Sequence, residues 1–212
     1  MSGSDKEFWE EAYQEYPDQV EVADYILENE MKDLPISNVL DIGCGTGKNV
    51  FKLAELGWSA YGIDISENAI EIARTQAIKR KAKAFFYAED STTWEPPFTF
   101  RLVISTYALP GGKATKQTLS TAVKALDAGG TLIITEWDKS MGEVWEFMKD
   151  DLISPEEIAG MLPGLKIQKA EVIHIENMFT ANDHRAVAGT WANIALVRAV
   201  NPKQSTCHPK RK

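Results

Sequence analysis

From about residue 37 to residue 137, the sequence alternates between two periods of apolar residues. Short apolar runs typical of buried strands are followed by stretches whose apolar residues recur three and four positions apart, which is typical of helices. The predicted strands are residues 39–42, 58–63, 82–87, 101–105 and 131–137. Strands that alternate with helices form parallel sheets, so the pattern predicts an α/β fold with a sheet covered by helices.

The C-terminal part follows a different pattern. Residues 166–176 and 190–200 have the composition of long strands, and no helix is predicted between them. Strands joined without a crossover helix pair antiparallel, so we expect these two to do so. Before them, Ser154 and Pro155 predict the start of a helix, because Pro is tolerated at the first helical position. Ser66 is a similar helix cap after the second predicted strand.

The composition is that of a globular domain. The 212 residues are 44% hydrophobic and 25% charged, near the globular average. A net charge of -8 disfavours general binding to nucleic acid or to an anionic membrane surface. The N-terminus is polar and no apolar run has the length of a membrane helix, so we expect neither a signal peptide nor a membrane span. Cys44 and Cys207 have no CxxC spacing, which favours a reduced, cytoplasmic setting.

The strongest functional signal is the glycine cluster of residues 41–47, Asp-Ile-Gly-Cys-Gly-Thr-Gly, between the first predicted strand and a helix. Glycines allow a tight turn and the close approach of a ligand. The helix N-terminus attracts a negative group. In open parallel sheets, ligands bind at the carboxyl ends of the strands, where the strand order reverses. The cluster therefore predicts a nucleotide-type ligand site.

Spacing separates three patterns for this cluster. The dinucleotide pattern GxGxxG needs a glycine where the chain has Lys48, which also disfavours a dehydrogenase. The phosphate-loop pattern GxxxxGK[ST] fails because Asn49 replaces Ser or Thr and Ile42 replaces the first glycine. The remaining pattern, acid-x-Gly-x-Gly-x-Gly, resembles the S-adenosylmethionine-binding motif of class I methyltransferases.

Four further motifs carry this resemblance. Residues 61–66 resemble the second motif of the family, in which Asp64 stands about 20 residues after Gly43, the interval expected of an acid that binds ribose hydroxyls. Residues 88–91 resemble the adenine-contacting turn, 102–107 the fourth-strand motif and 129–134 the glycine-led fifth strand.

The resemblance implies a Rossmann-like class I methyltransferase fold: a seven-stranded, mostly parallel sheet with an antiparallel last strand and helices on both faces. It implies S-adenosylmethionine as the cofactor and S-adenosylhomocysteine as the product. The residues implied at the cofactor are Asp41, Gly43, Cys44, Gly45, Gly47, Asn49, Asp64, Ile65, Asp90, Ser91, Ser105 and Thr106. Of these, Asp41 and the glycines would hold the methionine end and Asp64 the ribose. Asp90 and Ser91 would contact the adenine, and Ser105 or Thr106 would border the methionine.

Within the family, the layout is closest to small-molecule methyltransferases of the tellurite-resistance type. The stretches that carry this comparison are residues 8–13, 152–158, 184–185 and 195–198. We therefore expect a small methyl acceptor such as a thiol, a chalcogen oxyanion or another small nucleophile. We hypothesise that Arg185 pairs with an anionic group of the acceptor and that His184 binds or deprotonates it. A solvated loop pair remains the alternative for both.

Three more residues follow strand ends on the ligand edge of the predicted sheet. Tyr107 and Trp137 could face the cationic sulfonium, because aromatic faces attract cations. Glu136 could polarise an acceptor or could pair with Lys139 or an arginine.

The resemblance divides the chain into an N-terminal helical cap bordering the acceptor pocket (residues 1–36), the S-adenosylmethionine-binding domain (37–200) and a flexible basic tail (201–212). We expect a monomer or homodimer that binds no nucleic acid and no membrane. No metal is implied, because no His, Cys and Asp residues have ligand spacing. A macromolecular acceptor, RNA or protein, stays open, as does a non-catalytic regulator that binds S-adenosylmethionine.

Overall fold

The computed structural model describes residues 5–15, 25–145, 152–178 and 189–202. The helices are α1 (Asp5–Glu15), α2 (Tyr25–Met31), α3 (Lys48–Glu55), α4 (Glu67–Arg80), α5 (Gly112–Ala125), a 3₁₀ helix (Lys139–Glu143) and α6 (Pro155–Gly160). The strands are β1 (Asn38–Ile42), β2 (Ser59–Asp64), β3 (Ala84–Ala88), β4 (Phe100–Thr106), β5 (Leu126–Trp137), β6 (Lys166–Ile175) and β7 (Ala192–Val200). In this part of the chain, no helix is long and apolar enough to cross a membrane.

The strands form a single sheet in the order β3-β2-β1-β4-β5-β7-β6. Neighbours from β3 to β5 are parallel, whereas β7 is antiparallel to both β5 and β6. The predicted seven-stranded sheet with an antiparallel last strand is confirmed. The chain first builds outward from β1 through β2 to β3 and then returns to place β4 on the other side of β1. The strand order therefore reverses between β1 and β4, where such sheets bind ligands.

Two apolar cores cover the two faces of the sheet. Alternate side chains of a strand point to opposite faces. Val39 of β1 accordingly packs with Phe51 of α3 in one core, whereas its neighbour Leu40 packs with Leu119 of α5 and Ile158 of α6 in the other. The continuous apolar runs noted in the sequence arise because the central strands are buried on both faces.

The helix starts predicted at two serines are confirmed. The Ser66 hydroxyl accepts a hydrogen bond from the Ala69 N–H at the start of α4. The Ser154 hydroxyl accepts one from the Glu157 N–H, and the Glu157 carboxylate accepts one from the Ser154 N–H, which completes a capping box around Pro155.

The boundary between α5 and β5 differs from the prediction. The sequence predicts that the strand begins at residue 131, after the paired glycines Gly129 and Gly130, but α5 ends at Ala125 and β5 begins at Leu126. Both glycines therefore lie inside the strand. Gly129 has a φ of 75°. A Cβ on Gly130 would lie 3.0 Å from the Phe100 carbonyl oxygen of β4. The glycines thus permit an irregular strand that lies close to its neighbour, as glycines in strands often do.

Candidate active site

The glycine cluster forms the loop between β1 and α3. Gly43, Gly45 and Gly47 have φ values of 73°, 52° and 90°, in the left-handed region that favours glycine. A Cβ on Gly47 would also lie 2.5 Å from the Phe86 ring. Gly47 is the N-cap of α3 and makes no side-chain cap hydrogen bond. The conformation of the loop therefore requires glycine at these positions. The loop leads into a helix N-terminus, whose partial positive charge favours an anion.

Asp64, at the end of β2, binds this loop directly. Its Oδ2 accepts a hydrogen bond from the Gly45 N–H at 2.8 Å, and its Oδ1 accepts one from the Ser66 N–H at 3.0 Å. Asp64 is only 8% exposed. Burial raises its pKa, and the hydrogen bonds from the two amides oppose that effect. Asp64 thereby links the glycine loop to the start of α4, and a carboxylate has further lone pairs for a ligand hydroxyl.

Helix α1 is attached beside Asp64. The Glu10 carboxylate accepts hydrogen bonds from the Ser66 hydroxyl at 3.0 Å, the Glu67 N–H at 2.8 Å and the Asn68 N–H at 3.1 Å. Lys6 also pairs with Glu67 at 2.7 Å. Burial would raise the pKa of Glu10, but these hydrogen bonds lower it overall. The N-terminal cap is thus anchored at the predicted ribose end of the site, and its border with an acceptor stays a prediction.

The predicted adenine turn is held by the chain's own groups. Asp90 Oδ1 accepts hydrogen bonds from the Thr92 N–H at 2.8 Å and the Thr92 hydroxyl at 2.7 Å. The Ser91 hydroxyl is hydrogen-bonded to the Thr118 hydroxyl of α5 at 2.9 Å. These bonds fix the turn between β3 and β4 in one conformation.

The predicted methionine end lies where β4 meets α3. The Asn49 side-chain amide donates a hydrogen bond to the Thr106 hydroxyl at 2.9 Å. The Ser105 hydroxyl is buried, and it has no hydrogen-bond partner among the described residues. A buried hydroxyl without a partner is uncommon. The role of Ser105 beside the methionine stays a prediction.

The other predicted loop residues have different positions. Asp41 lies in the centre of the sheet between Gly62 and Ile104 and is 1% exposed. Cys44 packs against Gly62, where a Cβ would lie 2.6 Å from the Cys44 sulfur. Ile65 follows Asp64 and is half-buried. The side chains of Asp41 and Cys44 are therefore buried, and Ile65 lies beside the loop.

The loop of residues 107–111, which follows β4 and is here called the mouth loop, lies over the glycine loop. A Cβ on Gly43 would lie 2.3 Å from the Cβ of Ala108. Tyr107 has a φ of 52°, and its N–H donates to the Thr135 carbonyl at 2.8 Å. Only a glycine at position 43 therefore allows the mouth loop to lie in this place.

Glu136, near the end of β5, fixes the mouth loop from the other side. Its Oε1 accepts hydrogen bonds from the Ala108 N–H at 2.6 Å and the Leu109 N–H at 2.7 Å. Burial raises the pKa of Glu136 to about 7, and the backbone hydrogen bonds oppose this. The alternative that Glu136 pairs with Lys139 is wrong, because Lys139 pairs with Glu157 at 2.5 Å. The acid itself stands out in the sequence directly after an apolar run, but nothing there indicates its partners.

Three aromatic rings adjoin the mouth loop. The rings of Tyr107 and Trp137 lie with centroids 4.5 Å apart, and Trp145 meets Trp137 edge-on at 5.1 Å. Tyr107 and Trp137 are half-buried, whereas Trp145 is buried. They form an aromatic wall at the carboxyl ends of β4 and β5.

The predicted catalytic pair, His184 and Arg185, lies outside the described residues. Their roles therefore stay predictions. Among the described residues, no group of three His, Cys, Asp or Glu side chains is placed to hold a metal ion.

A cavity of about 270 Å³ lies on the sheet face formed by β1, β2 and β3. It is lined mainly by aromatic side chains, including Tyr61, Tyr87 and Phe98, and also by the charged side chain of Glu89. The Glu89 N–H donates to the Asp64 carbonyl at 2.8 Å. The cavity thus adjoins the predicted adenine turn but does not include the glycine loop.

Residues 35–181 match the model of a protein family described as a methyltransferase domain. The chain belongs to this methyltransferase family. The match begins just before β1 and includes the glycine loop, Asp64, Glu136 and the aromatic wall. The family predicted from the glycine spacing is therefore confirmed.

Relatives within the methyltransferases share parts of this chain. Thiocyanate methyltransferase 1 of Brassica oleracea is 42% identical over 72 residues, which are 33% of this chain and 32% of that protein. The chain spans between 22% and 56% of the length of the curated relatives it matches.

Solved structures share the methyltransferase fold. One comes from work on the conversion of a disulfide bond into a thioacetal group during echinomycin biosynthesis; it has a TM-score of 0.72 and 21% identity and covers 95% of this chain and 94% of its own. TehB from Haemophilus influenzae has a TM-score of 0.68 and 14% identity and covers 91% of this chain and 66% of its own. These likenesses confirm the predicted Rossmann-like fold.

Proposed function

We propose that this methyltransferase binds S-adenosylmethionine and moves its methyl group to a small nucleophile, with S-adenosylhomocysteine as the second product. The observation that carries the proposal is the hydrogen bond from the Gly45 N–H to Asp64. It joins the glycine loop, which follows β1 beside the point where the strand order reverses, to an acid at the end of β2.

The residues present suit such a cofactor. The glycine loop and the N-terminus of α3 would hold the negatively charged methionine end, and the lone pairs of Asp64 would accept the ribose hydroxyls. The aromatic faces of Tyr107 and Trp137 suit a sulfonium cation. When bound, the cofactor supplies an electrophilic methyl group. The chain's own contribution is then to orient the acceptor and to exclude water.

A soft sulfur or chalcogen nucleophile is the acceptor class that we favour. Two of the similar proteins are connected with sulfur chemistry: one is a thiocyanate methyltransferase, and the other comes from work on the conversion of a disulfide bond into a thioacetal group. A nucleophile that is already ionised near neutral pH needs no general base, so the site would mainly supply alignment. In this proposal Arg185 pairs with an anionic group of the acceptor, and His184 binds or deprotonates an acceptor that carries a proton.

The test is the formation of S-adenosylhomocysteine, measured by mass spectrometry. The protein and S-adenosylmethionine would be offered small thiols, thiocyanate, selenite and tellurite, with headspace analysis for volatile methylated products. Product with one of these acceptors supports the proposal. Calorimetric titration with S-adenosylhomocysteine on the same sample separates two failures: binding without product argues for another acceptor or a regulator, and no binding overturns the cofactor itself.

A further inference from the structure

The mouth loop is held at three places, two of them on β5 and one in the glycine loop after β1. Thr135 of β5 accepts the Tyr107 N–H at 2.8 Å. Gly43 after β1 leaves the space that Ala108 fills, since any Cβ there would lie 2.3 Å from that of Ala108. Glu136 accepts the next two N–H groups, those of Ala108 and Leu109.

The Glu136 contact differs from the other two, because it comes from a side chain that can be changed without altering the backbone of either loop. Glu136 is 7% exposed, and one of its carboxyl oxygens accepts both N–H groups. Without this acceptor, two neighbouring, partly buried N–H groups would need water, and the mouth loop would have to move to reach it.

We infer that Glu136 is a positioning residue that holds the mouth loop against the glycine loop. The surface that runs from Gly43 to the Tyr107–Trp137 pair is then already formed before a ligand binds. The hydrogen bonds of Glu136 do not depend on the proposed function, whereas the effect of the held mouth loop on ligand affinity rests on it. A loop that is already in place costs less ordering entropy on binding than one that must be ordered.

Three substitutions separate the positioning role from a general effect on stability. Glu136→Gln keeps a carbonyl oxygen at the same reach and can still accept both N–H groups. Glu136→Leu has a similar size but no acceptor. Glu136→Asp keeps the carboxyl but is one methylene shorter, and it provides a second test should the leucine variant fail to fold.

The matched control is Glu30→Gln. Glu30 is also a buried carboxylate, but it lies on α2, where Lys169 of β6 pairs with it at 2.6 Å and Arg198 of β7 at 3.4 Å. We expect this substitution to destabilise the fold, and it removes no contact of the mouth loop.

The first readout is hydrogen–deuterium exchange of the amides of Ala108 and Leu109, and the second is the affinity for S-adenosylhomocysteine by calorimetry. We expect exchange at both amides to be about tenfold faster or more in the leucine and aspartate variants, with an affinity about tenfold weaker. The glutamine variant should stay within about threefold of wild type in both. The control should melt at a lower temperature with both readouts unchanged.

Unchanged exchange at these amides in the folded leucine or aspartate variant would overturn the inference. So would faster exchange with unchanged affinity, because the held loop would then not matter for binding. Should the wild-type protein bind no S-adenosylhomocysteine, the proposed function fails, and the exchange experiment still decides whether Glu136 holds the loop.

Discussion

Asp64 and Gly45 are 19 residues apart in the chain, and the Gly45 N–H donates a hydrogen bond of 2.8 Å to the Asp64 carboxylate. The bond joins the carboxyl end of β2 to the loop after β1. Acid and loop therefore form one unit, so a change in either is expected to disturb both.

We expect Asp64→Asn to weaken S-adenosylhomocysteine binding by about tenfold or more. The amide NH₂ of asparagine would face either the Gly45 N–H or the Ser66 N–H, and two donors cannot bond to each other. Calorimetry measures the affinity, with Asp127→Asn as the control, because Asp127 pairs with Arg101 at 3.7 Å on the surface. Equal affinity in wild type and the Asp64 variant would contradict the proposed ribose contact.

We expect Gly43→Ala to abolish measurable cofactor binding and to lower stability. A left-handed φ costs a non-glycine residue about 1 to 2 kcal/mol, and the new Cβ would collide with Ala108. Adding Ala108→Gly should restore part of the binding, since it removes the collision and leaves only the strain. Gly160→Ala, with nothing within 4 Å of its Cβ position, is the control. Failure of the second substitution to restore any binding would argue against close contact of the two loops.

The contribution of Glu136 to the free energy of unfolding should decrease as pH rises. The folded protein raises the pKa of this acid from 4.5 to about 7, so between these values the folded state holds a proton that the unfolded chain has lost. The stabilisation is full below pH 4.5, declines as pH rises towards 7 and is absent above it; the total is about 3 kcal/mol. Urea unfolding from pH 4.5 to 8 should show this decline in wild type and a flatter profile in Glu136→Gln. Identical profiles would show that Glu136 ionises alike in both states.

Glu10→Ala should loosen α1 from α4. The substitution removes the acceptor of three hydrogen bonds at the start of α4, comparable to the loss of a helix cap, which costs about 1 kcal/mol. The folded pKa of Glu10 is lowered, so its contribution is present above the usual pKa of a glutamate and is lost on acidification. Thermal unfolding at neutral pH tests this against Glu11→Ala, an exposed acid of the same helix. Equal melting temperatures of the Glu10→Ala and Glu11→Ala variants would show that Glu10 does not anchor α1.

His184→Ala and Arg185→Ala should impair transfer without weakening the cofactor. For an acceptor that carries a proton, loss of a general base lowers kcat by about 10² to 10⁴. Loss of Arg185 should mainly raise KM for an anionic acceptor. His174→Ala is the control, because His174 is exposed and its ring nitrogens already contact Asn193 and Glu176. Unchanged steady-state kinetics in variants that still bind the cofactor would show that His184 and Arg185 take no part in the transfer.

The sequence by itself determined the features that depend on neighbouring residues. Apolar periodicity located the strands, because a strand buried on both faces must be apolar throughout. Ser66 and Ser154 marked helix starts, since a cap acts on amides within three residues. The glycines and Asp64 indicated the family, because a ligand loop needs particular backbone freedom at fixed spacing.

Only the tertiary structure decided which distant groups meet. Glu136 is 28 and 27 residues from the amides that it holds, and Glu10 is 56 residues from the hydroxyl of Ser66. The residues at positions 43 and 108 touch only because β4 returns beside β1. The first residue of β5, Leu126, likewise pairs with Phe100 of β4, which is 26 residues earlier in the chain. Local pattern carries no information on such pairs, because the order of strands in the sheet brings them together.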